Sequence, residues 1–292
     1  MLFCAFCCII KAGSFFTQKG LIIMSQKIKV GFIGAGNMGY AIMKGIAGCE
    51  LAQKMEISAF DPDTAKLDKL KEFGVKAYSS GIEILQNCKY VFLAVKPQMF
   101  ETVLDQIKDG ASEETVFVSI AAGITADYIR SKTLPNAKVI LVMPNTPLLL
   151  GAGASALAKA EPTTDEEFQT VCSIFNACGI SAQLPEDKMK EIIAINGSSP
   201  AFIYLFAKAF VDYAAKEGIS QEAALPLFAQ SLIGSAKMLT DSGYSIDELI
   251  KMVSSPGGTT LAGLDELYKG NLEKTVENAC AACMRRAYEL SK

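Results

Sequence analysis

The chain has 292 residues, half of them apolar and 20% charged, with a net charge of −3. That composition excludes a disordered chain and allows one large domain or two ordinary ones. Lys and Arg are scattered rather than striped, so nucleic acid is not an expected partner, and with no histidine anywhere Ser-His-Asp hydrolysis, Cys-His proteolysis and His-ligated zinc are ruled out.

The first 24 residues, "MLFCAFCCIIKAGSFFTQKGLIIM", form an apolar N-terminal extension. Their longest apolar run is too short to span a bilayer, and they lack the basic start and cleavage site of a signal peptide. Residues 1–24 are read as a dispensable extension outside the fold, with Met24 as a more ordinary start. A weak membrane or targeting segment is the rival reading.

From residue 28 to about 185, short apolar runs alternate with helix-like runs. Strands are expected at 28–34, 56–60, 90–95, 115–121 and 138–144, with 154–160 as a further edge strand. Helical patterns such as "TAKLDKLKEFG" and "QMFETVLDQIKDG" lie between them. This alternation predicts a Rossmann domain at 25–186, built on a doubly wound, mostly parallel sheet. After 187 only helical periodicity remains, which predicts an all-α second domain over 187–292. Its first run, "PAFIYLFAKAFVDYAAKEG", is apolar nearly all round and is expected to pack on another helix or another subunit. Pro226 predicts a kink or break in the second run.

Gly34-Ala-Gly-Asn-Met-Gly39 is a GxGxxG between a strand and a helix, the context that makes such a match meaningful. Gly34 suits the tight turn, Gly36 leaves room for a pyrophosphate, and Gly39 allows close helix–strand packing. The phosphates would meet unpaired N–H groups at a helix N-terminus. Asp61 closes the second strand, 22 residues after Gly39. There it can bond ribose hydroxyls and repel a 2′-phosphate, which leans towards NAD(H). Lys66 and Ser58 lie close enough in sequence to leave NADP(H) open. Asp61 could also be the N-cap of the next helix. The loops around Ala94, Val95, Lys96 and Pro97, around Ile120, Ala121 and Ala122, and at 144–147 follow strand C-termini, where such sheets bind ligands.

The nine cysteines lack the spacing of a secreted disulfide framework and point to a reduced, cytoplasmic protein. Cys280-Ala-Ala-Cys283 falls in a helical run and is read as packing rather than as a metal or redox pair. No metal site is expected.

Taken in order, "VGFIGAGNMG", "VFLAVKPQ", "SIAAGIT", "VMPNTP", "NGSSPAF" and "VSSPGGTT" resemble the motifs of pyrroline-5-carboxylate reductases. The resemblance covers residues 28–290, and its most specific element is the last. It implies reduction of a cyclic imine to proline by NADPH or NADH, and a homodimer built through the helical domains, with dimers joining into larger rings. The substrate pocket would then lie between one subunit's cofactor domain and its partner's helices. Carried over by motif, Ile33, Gly34, Ala35, Gly36, Asn37, Met38 and Gly39 would touch the cofactor. So would Ala94, Val95, Lys96, Pro97, Ile120, Ala121 and Ala122. Ser198, Gly257, Gly258, Thr259, Thr260 and Glu186 would line the substrate site.

An imine can be protonated before hydride arrives, so a histidine-free chain can reduce it with orientation, a dry pocket and one hydroxyl. Thr260 is the candidate for that hydroxyl. The sequence departs from the family in having Ser199 for a glycine, Phe202 for a tyrosine, and Gly for an asparagine near residue 81. Two other readings are a 3-hydroxyacid-type dehydrogenase, disfavoured because Lys208 comes too late and Asp212 stands where an asparagine would follow, and a non-catalytic NAD(P)H sensor.

Overall fold

The computed structural model describes residues 27–290. The readings for residues 1–24 lie outside the described residues.

The chain first forms β1 (Ile28–Ile33), then α1 (Asn37–Ala47) and the short α2 (Leu51–Lys54). Next come β2 (Met55–Phe60), α3 (Thr64–Asp68), β3 (Lys76–Ala77), α4 (Gly81–Asn87) and β4 (Tyr90–Leu93). They are followed by α5 (Phe100–Ile107), β5 (Val116–Ser119), α6 (Ala126–Lys132) and β6 (Lys138–Met143). The sheet ends with β7 (Gly153–Ala160), α7 (Asp165–Asn176) and β8 (Gly179–Gln183).

The strand order is β3-β2-β1-β4-β5-β6-β7-β8, with only the β6–β7 pair antiparallel. All six expected strands form. The segment at 154–160 is not the edge, because β8 runs parallel outside it. The helix expected across "TAKLDKLKEFG" ends at Asp68, and its last residues form a 3-10 turn closed by Gly74 with φ 73°.

Both faces of the sheet are covered, which explains why its strands are apolar throughout. On one face Val30, Phe32, Phe92 and Val118 pack against α1 and α7. The Phe32 and Phe92 rings stack with centroids 4.5 Å apart. On the other face Ile33, Leu93 and Phe117 meet α4, α5 and α6. Each fully buried side chain of this size contributes roughly 1.5–3 kcal/mol by leaving water.

A π-helical turn at Ile193–Ser198 leads into α8 (Ser199–Lys216), α9 (Gln221–Asp241), α10 (Ile246–Met252), α11 (Thr259–Lys269) and α12 (Leu272–Leu290). The Asn196 side chain donates to the Met143 carbonyl and ties this turn to the end of β6. The Tyr288 hydroxyl on α12 donates to Glu191 at 2.6 Å, and Lys190 sits 4.6 Å over the Tyr288 ring. The last helix is thereby anchored to the segment entering the turn.

Helix α9 runs through Pro226 without a break. Pro226 is the sixth residue of the helix, so its missing N–H removes a bond close to the N-terminus, where several are unmade in any case. α8 and α9 are joined by Phe206, Phe210 and Phe228, with the Phe210 and Phe228 rings stacked at 4.3 Å. The remaining apolar surface of α8 faces outward, including Tyr204 and Leu205, as does Leu227 on α9. The burial expected for α8 is therefore not achieved within one chain.

Candidate active site

The first glycine loop leaves β1 at the C-terminal edge of the sheet, and each of its glycines has a separate physical reason. Gly34 has φ 102°, and a Cβ there would lie 2.5 Å from the Ala94 carbonyl oxygen. A Cβ on Gly39 would meet the Gly34 carbonyl at 2.7 Å. A Cβ on Gly36 would meet nothing within 4 Å, so the space before it is open. Gly36 is also the N-cap of α1 and offers no side-chain cap, leaving the first N–H groups of the helix for a ligand. Open space, bare backbone and a helix N-terminus together fit a dinucleotide pyrophosphate.

Ile33 and Gly34 are buried at the strand end, Ala35 and Gly39 are buried behind the loop, and Asn37 is exposed. Ala94, Val95, Lys96 and Pro97 follow β4, which pairs with β1. The Ala94 N–H donates to the Ile33 carbonyl at 2.8 Å. Ile120, Ala121 and Ala122 follow β5, the next strand over, and are half-buried. The three segments expected to touch the cofactor are thus side by side along one edge. Lys96 is exposed at the start of the turn carrying Pro97.

Asp61 follows the end of β2, with its carboxylate turned to the glycine loop. It is only 6% exposed, and its Oδ2 accepts the Ala35 N–H at 2.7 Å. Its Oδ1 accepts the Asp63 N–H at 2.9 Å and is 3.2 Å from Lys66 Nζ. Burial would raise the carboxyl pKa, but the Ala35 and Asp63 N–H groups and then Lys66 outweigh it, so the pKa is lowered. Both carboxylate oxygens are committed to the protein. The N-cap of α3 is Asp63, whose side chain accepts from Ala65, rather than Asp61. Ser58 is buried in β2.

A cleft beside the loop is lined by Gly36, Asn37, Tyr40, Asp63, Lys66 and Lys69. Tyr40 and Lys69 were not legible as neighbours, although Asp63, Lys66 and Lys69 at intervals of three were a usable signal.

Glu186 lines a second cleft with Ala121, Gly123, Thr125, Met143 and Lys190. Its Oε1 lies 3.4 Å from the Ala126 N–H, at the start of α6. This places Glu186 beside the ends of β5 and β6. Ser198 is half-buried at the end of the π-helical turn. Ser199 turns its hydroxyl back onto the Ile195 carbonyl at 2.6 Å. Gly81 is explained by packing, since a Cβ there would lie 2.7 Å from Ile107.

The second glycine stretch is a turn between α10 and α11. Gly257 has φ 71°, and Gly258 is the N-cap of α11 without a side-chain bond. Thr259 and Thr260 form the exposed first turn of the helix. α11 packs on α12, and neither cleft at the strand ends is lined by Gly257, Gly258, Thr259 or Thr260. One chain therefore carries the two glycine stretches without bringing them together.

Residues 186–290 match the family model for pyrroline-5-carboxylate reductase dimerisation. Residues 29–123 match that for NADP oxidoreductase, coenzyme F420-dependent. A pyrroline-5-carboxylate reductase of Methanosarcina acetivorans is 34% identical over 90% of this chain and 98% of its own length. The chain belongs to the pyrroline-5-carboxylate reductase family. The member from Escherichia coli K12 matches with the same identity and coverage, and that from Arabidopsis thaliana is 33% identical over 93% of this chain and 99% of its own. Among solved structures, the reductase of Coxiella burnetii is 32% identical with a TM-score of 0.84, over 90% of this chain and 98% of its own. The Plasmodium falciparum pyrroline carboxylate reductase with NADP bound is 30% identical with a TM-score of 0.82, over 91% and 98%.

Membership of the pyrroline-5-carboxylate reductase family accounts for the outward apolar faces of α8 and α9, which lie in the region matched by the dimerisation model. It also disfavours the hydroxyacid dehydrogenase reading. Lys208 is exposed on α8 and ion-paired to Asp212 on the same helix. Among the described residues, no helix is long and apolar enough to cross a membrane.

Proposed function

We propose that this chain reduces the C=N bond of 1-pyrroline-5-carboxylate with NADPH or NADH, giving L-proline. The bound nucleotide supplies the hydride. The chain's own groups bind, orient and exclude water. The first glycine loop holds the pyrophosphate at the N-terminus of α1, while Ala121 and Ala122 are small enough for a flat ring to approach the backbone.

The observation that carries the reading is the bare N-terminus of α11. Gly258 caps the helix without a side chain, so the first N–H groups, beside the exposed Thr259 and Thr260, are left where a substrate carboxylate can sit. Thr260 is the hydroxyl that bonds the ring nitrogen or relays its proton, with Ser198 and Glu186 near the same pocket.

The two glycine stretches meet only between subunits, with the α11 end of one chain reaching the strand ends of its partner. Dimers joining into a larger ring belong to the same reading. So does the division of the chain into a cofactor domain at 25–186 and a helical domain at 187–292, which is supported by the end of β8 at Gln183. We place the reaction in the cytoplasm, where thiols such as those of Cys88 and Cys178, free in this fold, stay reduced.

Pyrroline-5-carboxylate-dependent loss of reduced-nicotinamide absorbance tests the reading. Nucleotide binding without any such loss would leave a sensor instead.

A further inference from the structure

We infer that Lys66 and Lys69 make this chain selective for NADPH by reading the 2′-phosphate of its adenosine ribose, while Asp61 serves as an internal clamp of the glycine loop. The inference rests on the proposed use of a reduced nicotinamide nucleotide and concerns which one.

A chain that selects NAD leaves a carboxylate at the end of the second strand free to accept both ribose hydroxyls, and that charge repels a 2′-phosphate. Here the carboxylate is in the right place but unavailable. Its oxygens accept N–H bonds from Ala35 and Asp63, at 2.7 and 2.9 Å. Using it for ribose would release the Ala35 N–H inside the loop, where an unmet buried donor is costly.

Lys66 also offsets the charge of Asp61, with contacts of 3.2 and 3.4 Å to its two oxygens and 3.8 Å to Asp63. These are long for charge-assisted bonds, and the Lys66 side chain is 43% exposed. It can turn towards a phosphate without leaving a buried site. Lys69 is exposed, and no ion pair holds it among the described residues. Both lysines line the cleft that opens beside Gly36, together with Tyr40 and the amide of Asn37. The one carboxylate lining that cleft, Asp63, is turned to the Ala65 N–H at 3.1 Å. A dianion set beside the loop would meet two ammonium groups, and the one carboxylate of the lining, Asp63, faces the Ala65 N–H and Lys66.

The test uses the full chain and two nucleotide fragments, 2′,5′-ADP and 5′-AMP, with calorimetric affinities as the readout. The wild-type chain is expected to bind 2′,5′-ADP about tenfold or more tightly than 5′-AMP. Lys66→Ala combined with Lys69→Ala should bring the two affinities within about threefold by weakening 2′,5′-ADP alone. Because Lys66 also touches Asp61, Lys69→Glu is tested separately, and it should weaken 2′,5′-ADP while 5′-AMP is held. Equal affinities in the wild type, or an unchanged preference in Lys69→Glu and in the double variant, would overturn the inference. Neither fragment needs the imine, so absent pyrroline-5-carboxylate reduction would sink the earlier reading and leave this result standing.

Discussion

The Ala35 N–H donates to the Asp61 carboxylate at 2.7 Å, joining the glycine loop after β1 to the end of β2. This bond holds the loop in shape before any nucleotide arrives. Asp61→Ala is expected to cost about 1–3 kcal/mol of stability, because it strands a buried donor. It should weaken NADH and NADPH alike. Denaturant unfolding and paired nucleotide titrations would measure both effects. A selective loss of NADH would instead return Asp61 to the ribose.

Gly36 and Gly39 are expected to separate binding from folding. Alanine at Gly36 enters open space, so the melting temperature should stay within about 2 °C. Nucleotide affinity should nonetheless fall by about tenfold or more, as the methyl group takes the place of the pyrophosphate. Alanine at Gly39 meets the Gly34 carbonyl at 2.7 Å, and should cost about 1–3 kcal/mol through overpacking. Calorimetry of both variants checks the contrast.

Thr260→Ala should lower kcat by about 10- to 100-fold, the lower part of the range for a proton-transfer group. Thr260 is exposed in the single chain, so folding should be unaffected. Unchanged turnover would remove it from the mechanism. Subunit mixing adds a second reading. Neither Gly36→Ala nor Thr260→Ala dimers have an intact site, but a mixed dimer has one of its two sites intact if the pocket is shared. Random re-pairing should then restore about a quarter of the wild-type activity. No recovery would mean that each chain builds its own site.

Glu167 lies on α7 below the sheet with its side chain 4% exposed, 2.9 Å from Lys138 and 3.0 Å from Lys89. Burial would raise its pKa, but Lys138, the Thr164 N–H and Lys89 hold it down, from 4.5 to about 2. A depressed folded pKa stabilises the fold above pH 4.5, and that contribution is lost as pH falls from 4.5 towards 2. Glu167→Gln should therefore be less stable than wild type at pH 7 by about 1–3 kcal/mol. The gap should close across that acid window. A gap independent of pH would show that packing, not charge, is at stake.

The central strands were legible because buried parallel strands leave unbroken apolar runs, as in "YVFLAV". β8 was not, since "GISAQ" is half-exposed and small, and its place depends on Gly179 fitting against Gly153. β3 is two residues long and has no pattern to read. The backbone of the glycine loop could be read because its geometry is local. The hydrogen bonds of Asp61 could not, because sequence position alone does not tell which neighbouring N–H groups a carboxylate will meet. The cleft with Tyr40 and Lys69 joins residues 29 apart in sequence, and only the fold brings them together.

The outward face of α8 and α9 carries Leu205 at 68% exposure and Leu227 at 71%. A chain that keeps such surface in water gains little from folding that half alone. Its helical region is stabilised by mass action: the partner chain acts as a ligand, and stability rises with the logarithm of protein concentration. Dilution should then unlock the helical region first, while the sheet, whose core is sealed within one chain, holds.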